Sequence, residues 1–467
     1  MKERKVDVAI IGAGSSGLYA LSEVRKSGQR FVLINGGALG TTCARVGCMP
    51  SKVLIQVADD YHRRWIFKHY GMQSQDSMTL DIPKVMKYVR HMRDIFVKRV
   101  CTKTTDRMGE DFVVGDARFL EPDLLEVGGS RIRAGKVIIA TGSRPLVPAA
   151  WAAFGDRILT TGNLFEQDNL PSAMAVIGLG AIGLELGQVL HRLGIQVSGF
   201  DQLNCIGGLT DPEVNKVALG ILGKEFSIYL GQAAIITEEG GKLRVTAGEQ
   251  SVVVDKVLAS LGRIPNLDGL GLENIGVKLN GRGIPLHDAN TMQIGDLPIF
   301  IAGDANGERP VLHEAGDEGR IAGYNAVHEE AKAFGRKAPL GITFCDPNIC
   351  SVGKRWAELE PENIAIGESA FDTEPRAMVM VRNQGLLRLY ADKAAGTLLG
   401  AEMIAPAGEH LAHLLAWSIQ QKLSVSELLC MPFYHPVVEE GLQSALYDLY
   451  AKLNGNKPDG VIGLGPA

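Results

Sequence analysis

Short, uninterrupted apolar runs, each ending near a glycine turn, punctuate the first two thirds of the chain. Val8-Ala9-Ile10-Ile11 leads into Gly12, and Met174-Ala175-Val176-Ile177 leads into Gly178. Val137-Ile138-Ile139-Ala140 runs into Thr141-Gly142-Ser143, Val257-Leu258-Ala259 towards Gly262, and Ile299-Phe300-Ile301-Ala302 into Gly303-Asp304. Such runs, bounded by turns, predict strands buried on both faces, the strands of a parallel sheet. After Gly341 the pattern changes: Met378-Val379-Met380-Val381 reads as a strand, and His410 to Gln421 as an amphipathic helix.

Two of these segments are copies of one another. Gly12, Gly14, Gly17, Gly28 and Asn35 lie at one fixed offset from Gly178, Gly180, Gly183, Gly194 and Asp201. Each copy reads strand, G-x-G-x-x-G, helix, glycine, strand, polar residue. In that arrangement the first glycine makes a tight turn and the second admits a pyrophosphate close to the backbone. The third lets helix pack on strand, and the helix N-terminus supplies amides and a positive dipole end. A single such loop is weak; two in register predict two Rossmann-like dinucleotide-binding domains in an α/β chain, followed by a C-terminal α+β domain. Thr141-Gly142-Ser143 and Gly262 sit at the carboxyl edges of those sheets, where ligands bind. Asp304, at a third strand end, is read as a partner for sugar hydroxyls or as a helix N-cap.

Bulk properties narrow the class. At 467 residues the chain has room for roughly three domains. A net charge of -5 gives no reason to expect nucleic acid. The basic start Met1-Lys2-Glu3-Arg4-Lys5 loosely imitates a secretory signal, but Asp7 interrupts the apolar run. No stretch approaches the ~18 apolar residues of a membrane span. A cytoplasmic protein is the expectation. Seven cysteines in so long a chain do not make a disulfide scaffold; a pair among them is expected to be catalytic or metal-binding.

That pair is Cys43 and Cys48, in Gly40-Thr41-Thr42-Cys43-Ala44-Arg45-Val46-Gly47-Cys48-Met49-Pro50-Ser51-Lys52. Five residues rise about 7.5 Å in a regular helix, beyond the ~6.8 Å that a disulfide tolerates between Cα atoms. Gly47 and Pro50 are the residues able to bend the chain, so the segment reads as a redox loop feeding a helix. Cys345 and Cys350 repeat the spacing, but zinc ligands usually come closer together. They are read, with Cys101, Cys205 and Cys430, as ordinary thiols, and no metal is expected.

Taken together these residues resemble the pyridine nucleotide–disulfide oxidoreductases, over nearly the whole chain. The most specific pieces are Cys43-x4-Cys48 with Met49-Pro50-Ser51-Lys52, and His435-Pro436-x-x-x-Glu440 near the C-terminus. Within that family the likeness is strongest to dihydrolipoamide dehydrogenases. The resemblance implies that Gly12, Gly14, Gly17, Asn35, Thr42, Lys52, Thr141, Gly142, Ser143, Gly303 and Asp304 serve FAD. Gly178, Gly180, Gly183, Asp201 and Gly262 would serve NAD. It implies Cys48 as the flavin-side thiol, Cys43 as the exchange thiol, and a Lys52–Glu185 ion pair near the flavin. His435 would be the base for the substrate thiol, oriented by Glu440 and acting on the partner's cysteines in a homodimer.

Asp201 would accept ribose hydroxyls and repel a 2′-phosphate, and Gln202-Leu203-Asn204-Cys205-Ile206 offers no Arg or Lys to bind one, so NAD is favoured over NADP. This counts against a glutathione reductase. Mercuric reductases carry a further C-terminal cysteine pair, absent from Gly460–Ala467. Four positions depart from the family pattern: Asn35 where Glu is usual, Ala181 where a larger residue is common, Thr41-Thr42 in place of a glycine-containing approach, and Val437 in place of Thr.

The expected reaction is oxidation of a dithiol, free or on a lipoyl-bearing protein, by NAD⁺. A substrate thiolate attacks Cys43, a second substrate thiol resolves the mixed disulfide, and electrons pass from Cys48 through FAD to NAD⁺. The alternatives are an NAD(P)H-dependent reductase of another disulfide, an NADH oxidase or diaphorase with incidental cysteines, or a non-catalytic redox sensor. The expected domains are 1–146 with 268–340 for FAD, 147–267 for NAD, and 341–467 for the dimer interface.

Overall fold

The structure is a computed structural model that describes residues 3–73, 75–455 and 461–464. Met1-Lys2 of the signal-like start, and Gly460 with the last three residues of the C-terminal stretch, lie outside the described residues.

The first apolar run forms strand Glu3–Ile11, parallel to Phe31–Asn35 on one side and to Ser130–Ile139 on the other. Strand Ile299–Ile301 joins the same sheet, parallel to Ser130–Ile139. Val8, Ile10, Leu33 and Ile138 have no exposed surface. That is why these strands read as unbroken apolar runs: both faces of the sheet are covered. Helix Ser15–Ser27 packs on the sheet and ends at Gly28, whose left-handed φ of 72° closes the turn into Phe31–Asn35.

The second copy repeats the layout. Ala173–Ile177 lies parallel between Gln196–Phe200 and Lys256–Ala259, with helix Ala181–Arg192 following the glycine loop. The turns that end the two copies meet directly: Ser143–Pro145 and Arg263–Pro265 pair as a short antiparallel ribbon. This ribbon sets one glycine loop relative to the other.

From Leu340 the chain forms an antiparallel five-stranded sheet, in the order 340–343, 348–353, 398–405, 386–392, 364–370. Helices Gly408–Gln420 and Glu439–Asn454 cover it, burying Leu411, Leu415, Leu446 and Leu449 against Leu389 and Met403. Each such leucine stabilises the domain by about 1.5–3 kcal/mol. The helix expected over His410 to Gln421 is present. The strand expected at Met378–Val381 is instead a short helix, Pro375–Val379. Glu374 caps it by accepting from the amides of Arg376 and Ala377, and Pro375 sits in its first turn. A cap and an N-terminal proline outweigh the strand propensity of Val, and Met378 and Val379 point to solvent.

A buried arginine pins the three parts together. Arg192 bonds Asp59 at 2.6 Å, Glu225 at 2.8 Å and Asp346 at 3.2 Å. These carboxylates come from the helix after the cysteines, from the second sheet's surroundings and from the C-terminal sheet. No helix among the described residues is long and apolar enough to cross a membrane.

Candidate functional site

One continuous cavity of ≈1870 Å³ runs from the first glycine loop past the cysteines to the second. It is lined by Gly12, Gly14, Asn35, Thr42, Cys43, Cys48, Lys52, Thr141, Gly142, Ser143 and Asp304, and by Gly178, Gly180, Glu185, Asp201 and Gly262. Gly17, Gly183 and Gly303 do not line it.

The glycines divide by physical role. A Cβ on Gly17 would sit 1.9 Å from the carbonyl oxygen of Gly12, and one on Gly183 1.8 Å from that of Gly178. These two serve helix-on-strand packing. Gly14 and Gly180 adopt ordinary extended backbone, φ -78° and -67°. A Cβ on Gly14 would meet no protein atom nearer than 4.0 Å, and one on Gly180 none at all. The protein's own packing does not need glycine there. Both positions border the cavity at a helix N-terminus, so a missing Cβ opens space for a group approaching from outside, as a pyrophosphate does. Ser16 and Thr141, whose buried hydroxyls lack partners, also line the cavity. The residues present therefore fit a dinucleotide at each loop.

The strand ends confirm the internal symmetry. The Ala13 amide donates to Asn35 Oδ1 at 3.0 Å, and the equivalent Leu179 amide donates to Asp201 Oδ2 at 2.6 Å. Asn35 also donates to the Gly37 carbonyl, whereas Asp201 Oδ1 accepts from the Leu203 amide. Asp304 accepts from the Ser143 hydroxyl at 2.6 Å and makes no cap. Of its two readings, the N-cap is excluded.

The cysteine segment bends where expected. A short helix, Thr42–Val46, breaks at Gly47, and helix Cys48–His62 begins directly after it with Pro50 in its first turn. Thr41 caps the short helix by accepting from Ala44, and does so at φ 64°, a conformation costly for a β-branched residue. Glycine at this position would be free of that strain, which gives the Thr41 departure its physical meaning. Cys43 and Cys48 are both present as thiols. The hydrogen bond from Cys43, helped by the Lys52 ammonium, brings the Cys48 thiol down to about 7 although burial opposes the shift. The same pairing pushes Cys43 up.

Lys52 Nζ meets Glu185 Oε2 at 2.8 Å. Phe344, from the C-terminal sheet region, clamps both partners: its amide donates to Glu185 Oε1 at 2.8 Å, and its ring lies 4.4 Å from Lys52 Nζ. Sequence reasoning missed Phe344, because nothing local marks a contact 159 residues from Glu185. It also missed Arg263, which donates to the Ser143 hydroxyl at 2.7 Å and lies 3.6 Å from Asp304. The likeness of the two turns, Gly142-Ser143-Arg144-Pro145 and Gly262-Arg263-Ile264-Pro265, was a signal for that contact. Glu318, fully buried, accepts from the Gly303 amide and from Asn306 and so holds the Asp304 turn.

Cys43 also differs from Cys48 in its surroundings. It lines, in addition, a second pocket of ≈480 Å³, which Cys48 does not touch. His435 and Glu440 line neither. His435 Nδ1 lies 2.9 Å from Glu440 Oε1, and Glu440 Oε2 accepts from the Val437 amide at 3.1 Å. The pair with His435 holds the Glu440 carboxyl below the usual range. The imidazole is 73% exposed, beside Tyr434 at 81%. Cys345 and Cys350 are buried, and burial raises both thiols. Among the described residues no group of three or more His, Cys, Asp or Glu is placed to hold a metal ion.

Comparison with known proteins accords with this geometry. Residues 6–319 match the pyridine nucleotide-disulphide oxidoreductase family, and residues 340–446 match its dimerisation domain. A dihydrolipoyl dehydrogenase from Thermus scotoductus is 29% identical over 95% of this chain and 97% of its own. A mercuric reductase from Staphylococcus aureus is 26% identical over 94% and 81%. The fold also matches a Cu(II) complex of the HOCl-induced flavoprotein disulfide reductase RclA from Escherichia coli, with TM-score 0.83 and 22% identity over 96% of this chain and 99% of that one. The chain thus belongs to the pyridine nucleotide-disulphide oxidoreductases, enzymes that contain FAD and depend on NAD(P).

Proposed function

We propose that this enzyme oxidises a dithiol of the dihydrolipoamide type with NAD⁺, as a cytoplasmic homodimer. The observation that carries the reading is the placement of Cys43 on two cavities, with Cys48 on the glycine-loop cavity alone. A substrate thiolate attacks the Cys43 sulfur of the oxidised pair, which breaks the S–S bond and leaves Cys48 as thiolate. The Lys52 ammonium favours that charge. His435, with Nδ1 donating to Glu440, keeps Nε2 free to take the proton of the second substrate thiol. That thiol attacks the substrate sulfur bonded to Cys43 and releases Cys43. FAD, when bound along the Gly12 loop, supplies the two-electron relay between the thiols and the nicotinamide.

His435 and Glu440 line neither cysteine pocket of their own chain, which supports a role on the partner's cysteines. Lys52, Glu185 and Phe344 hold the floor of the cavity between the glycine loops. We assign 1–146 with 268–340 to FAD binding, 147–267 to NAD binding and 341–467 to the interface. NAD is preferred over NADP because the Asp201 carboxylate borders the cavity and residues 202–206 carry no cation. Dihydrolipoamide with NAD⁺ and glutathione disulfide with NADPH, assayed in parallel on the holoenzyme, test the reading. The first pair is expected to win in kcat/KM by roughly 100-fold or more; equal or reversed preference refutes it.

A further inference from the structure

We propose that the pocket beside Cys43 selects a dithiol whose carbon stem ends in an anionic group, and that Arg99 and Lys103 are the residues that select it. The inference rests on the dithiol-oxidising reading above and names a chemical class within it.

The pocket has two chemically distinct parts. Leu18, Tyr19, Phe96, Val100 and Leu312 make an apolar slot that starts at Cys43. Its volume, ≈480 Å³, lies within the range that small ligands occupy. Arg99 and Lys103 also line it, and no Asp or Glu does. They stand four residues apart on helix Ile82–Lys103, which places them on one helix face.

Both cations are exposed and unpaired among the described residues. On the same helix Lys84 pairs with Asp81, Arg90 with Asp168 and Arg93 with Glu166, whereas Lys87 and Lys98, which have no ion pair among the described residues, lie outside the pocket lining. Arg320, whose guanidinium lies 4.5 Å from the Tyr19 ring, is bonded to Asp317. A cation in the last helical turn compensates the helix dipole, and that accounts for Lys103. It does not account for Arg99 one turn earlier, nor for a pocket wall without any acid. The arrangement suits a ligand with sulfur at Cys43, an aliphatic stem along the slot and a carboxylate at the cations. Dihydrolipoate has that form. Dihydrolipoamide has the same stem without the charge, so the two make a matched pair of probes.

Two measurements on R99Q/K103Q test the assignment. First, the ratio of kcat/KM for dihydrolipoate to that for dihydrolipoamide, with NAD⁺, is expected to fall roughly five- to tenfold at low salt. In the unaltered enzyme the ratio itself is expected to shrink as ionic strength rises through about 0.15 M. K87Q removes one charge from the same helix outside the pocket and controls for the general field.

Second, the anion preference is read without turnover, on holoenzyme carrying Cys48→Ser. Alkylation of Cys43 by iodoacetate relative to iodoacetamide, quantified by peptide mass, is expected to fall by a similar factor when R99Q/K103Q is added. An alkylation ratio that stays within twofold overturns the inference, as does a substrate ratio that stays within twofold. If the unaltered enzyme oxidises neither dithiol while the alkylation ratio responds, the proposed function fails and the anion preference of the pocket stands.

Discussion

Gly14→Ala separates what the first glycine loop does for the fold from what it does for a cofactor. Gly14 has φ -78° and ψ -175°, which alanine adopts freely, and its added Cβ would meet no protein atom nearer than 4.0 Å. The Leu18 amide bonds the Gly14 carbonyl, which the substitution leaves in place. Folding of the apoprotein is therefore expected to improve slightly, by about 0.4–1 kcal/mol, because alanine narrows the unfolded ensemble. On the proposed cofactor placement, the same methyl stands where the FAD pyrophosphate would approach. Losing one or two charge-assisted hydrogen bonds there costs roughly 2–4 kcal/mol, about 30- to 1000-fold in Kd. Apoprotein titrated with FAD, followed by flavin fluorescence, measures the affinity, and thermal unfolding of the apoprotein measures the stability. Gly17→Ala is the contrasting case: its Cβ would lie 1.9 Å from the Gly12 carbonyl, so the fold itself is expected to suffer. A Gly14→Ala protein that binds FAD within threefold of the parent would refute the reasoning. So would one whose apoprotein loses stability.

Three further outcomes follow from the same structure. Cys48 is held at about 7, first by the hydrogen bond from Cys43 and then by Lys52. A lowered thiol pKa keeps the reactive thiolate down to about pH 7, so the alkylation rate of Cys48 should inflect near pH 7. Cys43→Ala should move that inflection upward further than Lys52→Gln does; the reverse order would show that Lys52 dominates. Asp201→Ala with Gln202→Arg should shift preference from NAD towards NADP, measured as the ratio of kcat/KM values, since it removes a repulsive charge and adds a phosphate ligand. An unchanged ratio would mean that Asp201 does not face the ribose. Arg192→Met leaves Asp59, Glu225 and Asp346 without their shared cation, and should cost about 3–5 kcal/mol in urea unfolding; a loss below 1 kcal/mol would show that those carboxylates find water or protons instead.

The proposed sharing of His435 across the dimer has its own test. Cys43→Ser and His435→Ala parents should each be inactive with a dithiol. His435→Ala is expected to slow thiol attack by roughly 10² to 10⁴. Heterodimers formed by mixing them would hold one site with intact cysteines and an intact histidine, and activity should return. Confirmed heterodimers that stay as inactive as their parents would place His435 outside catalysis across the interface.

Local chemistry alone determined a good deal about this protein. The unbroken apolar runs specify strands covered on both faces, and the repeated glycine spacing specifies two loops that turn tightly and border one cavity. The break at Gly47 was legible for the same reason, since a helix carrying Cys43 and Cys48 in regular register could not bring them together. Where several local signals competed, the reading failed: Met378–Val381 looked like a strand, but Glu374 and Pro375 make it a helix.

Only the tertiary structure decided what depends on contacts between distant segments. Phe344 reaches the Lys52–Glu185 pair from another domain, Arg192 gathers three carboxylates, and Arg263 crosses from one glycine-loop unit to the Asp304 turn of the other. No periodicity or spacing encodes such meetings, because each depends on how separately folded sheets pack. Gly14 and Gly17 show the division most plainly. The sequence marks both as glycine, and only the surrounding atoms tell that the fold keeps Gly17 small while leaving room for a side chain at Gly14, where the proposed cofactor would approach.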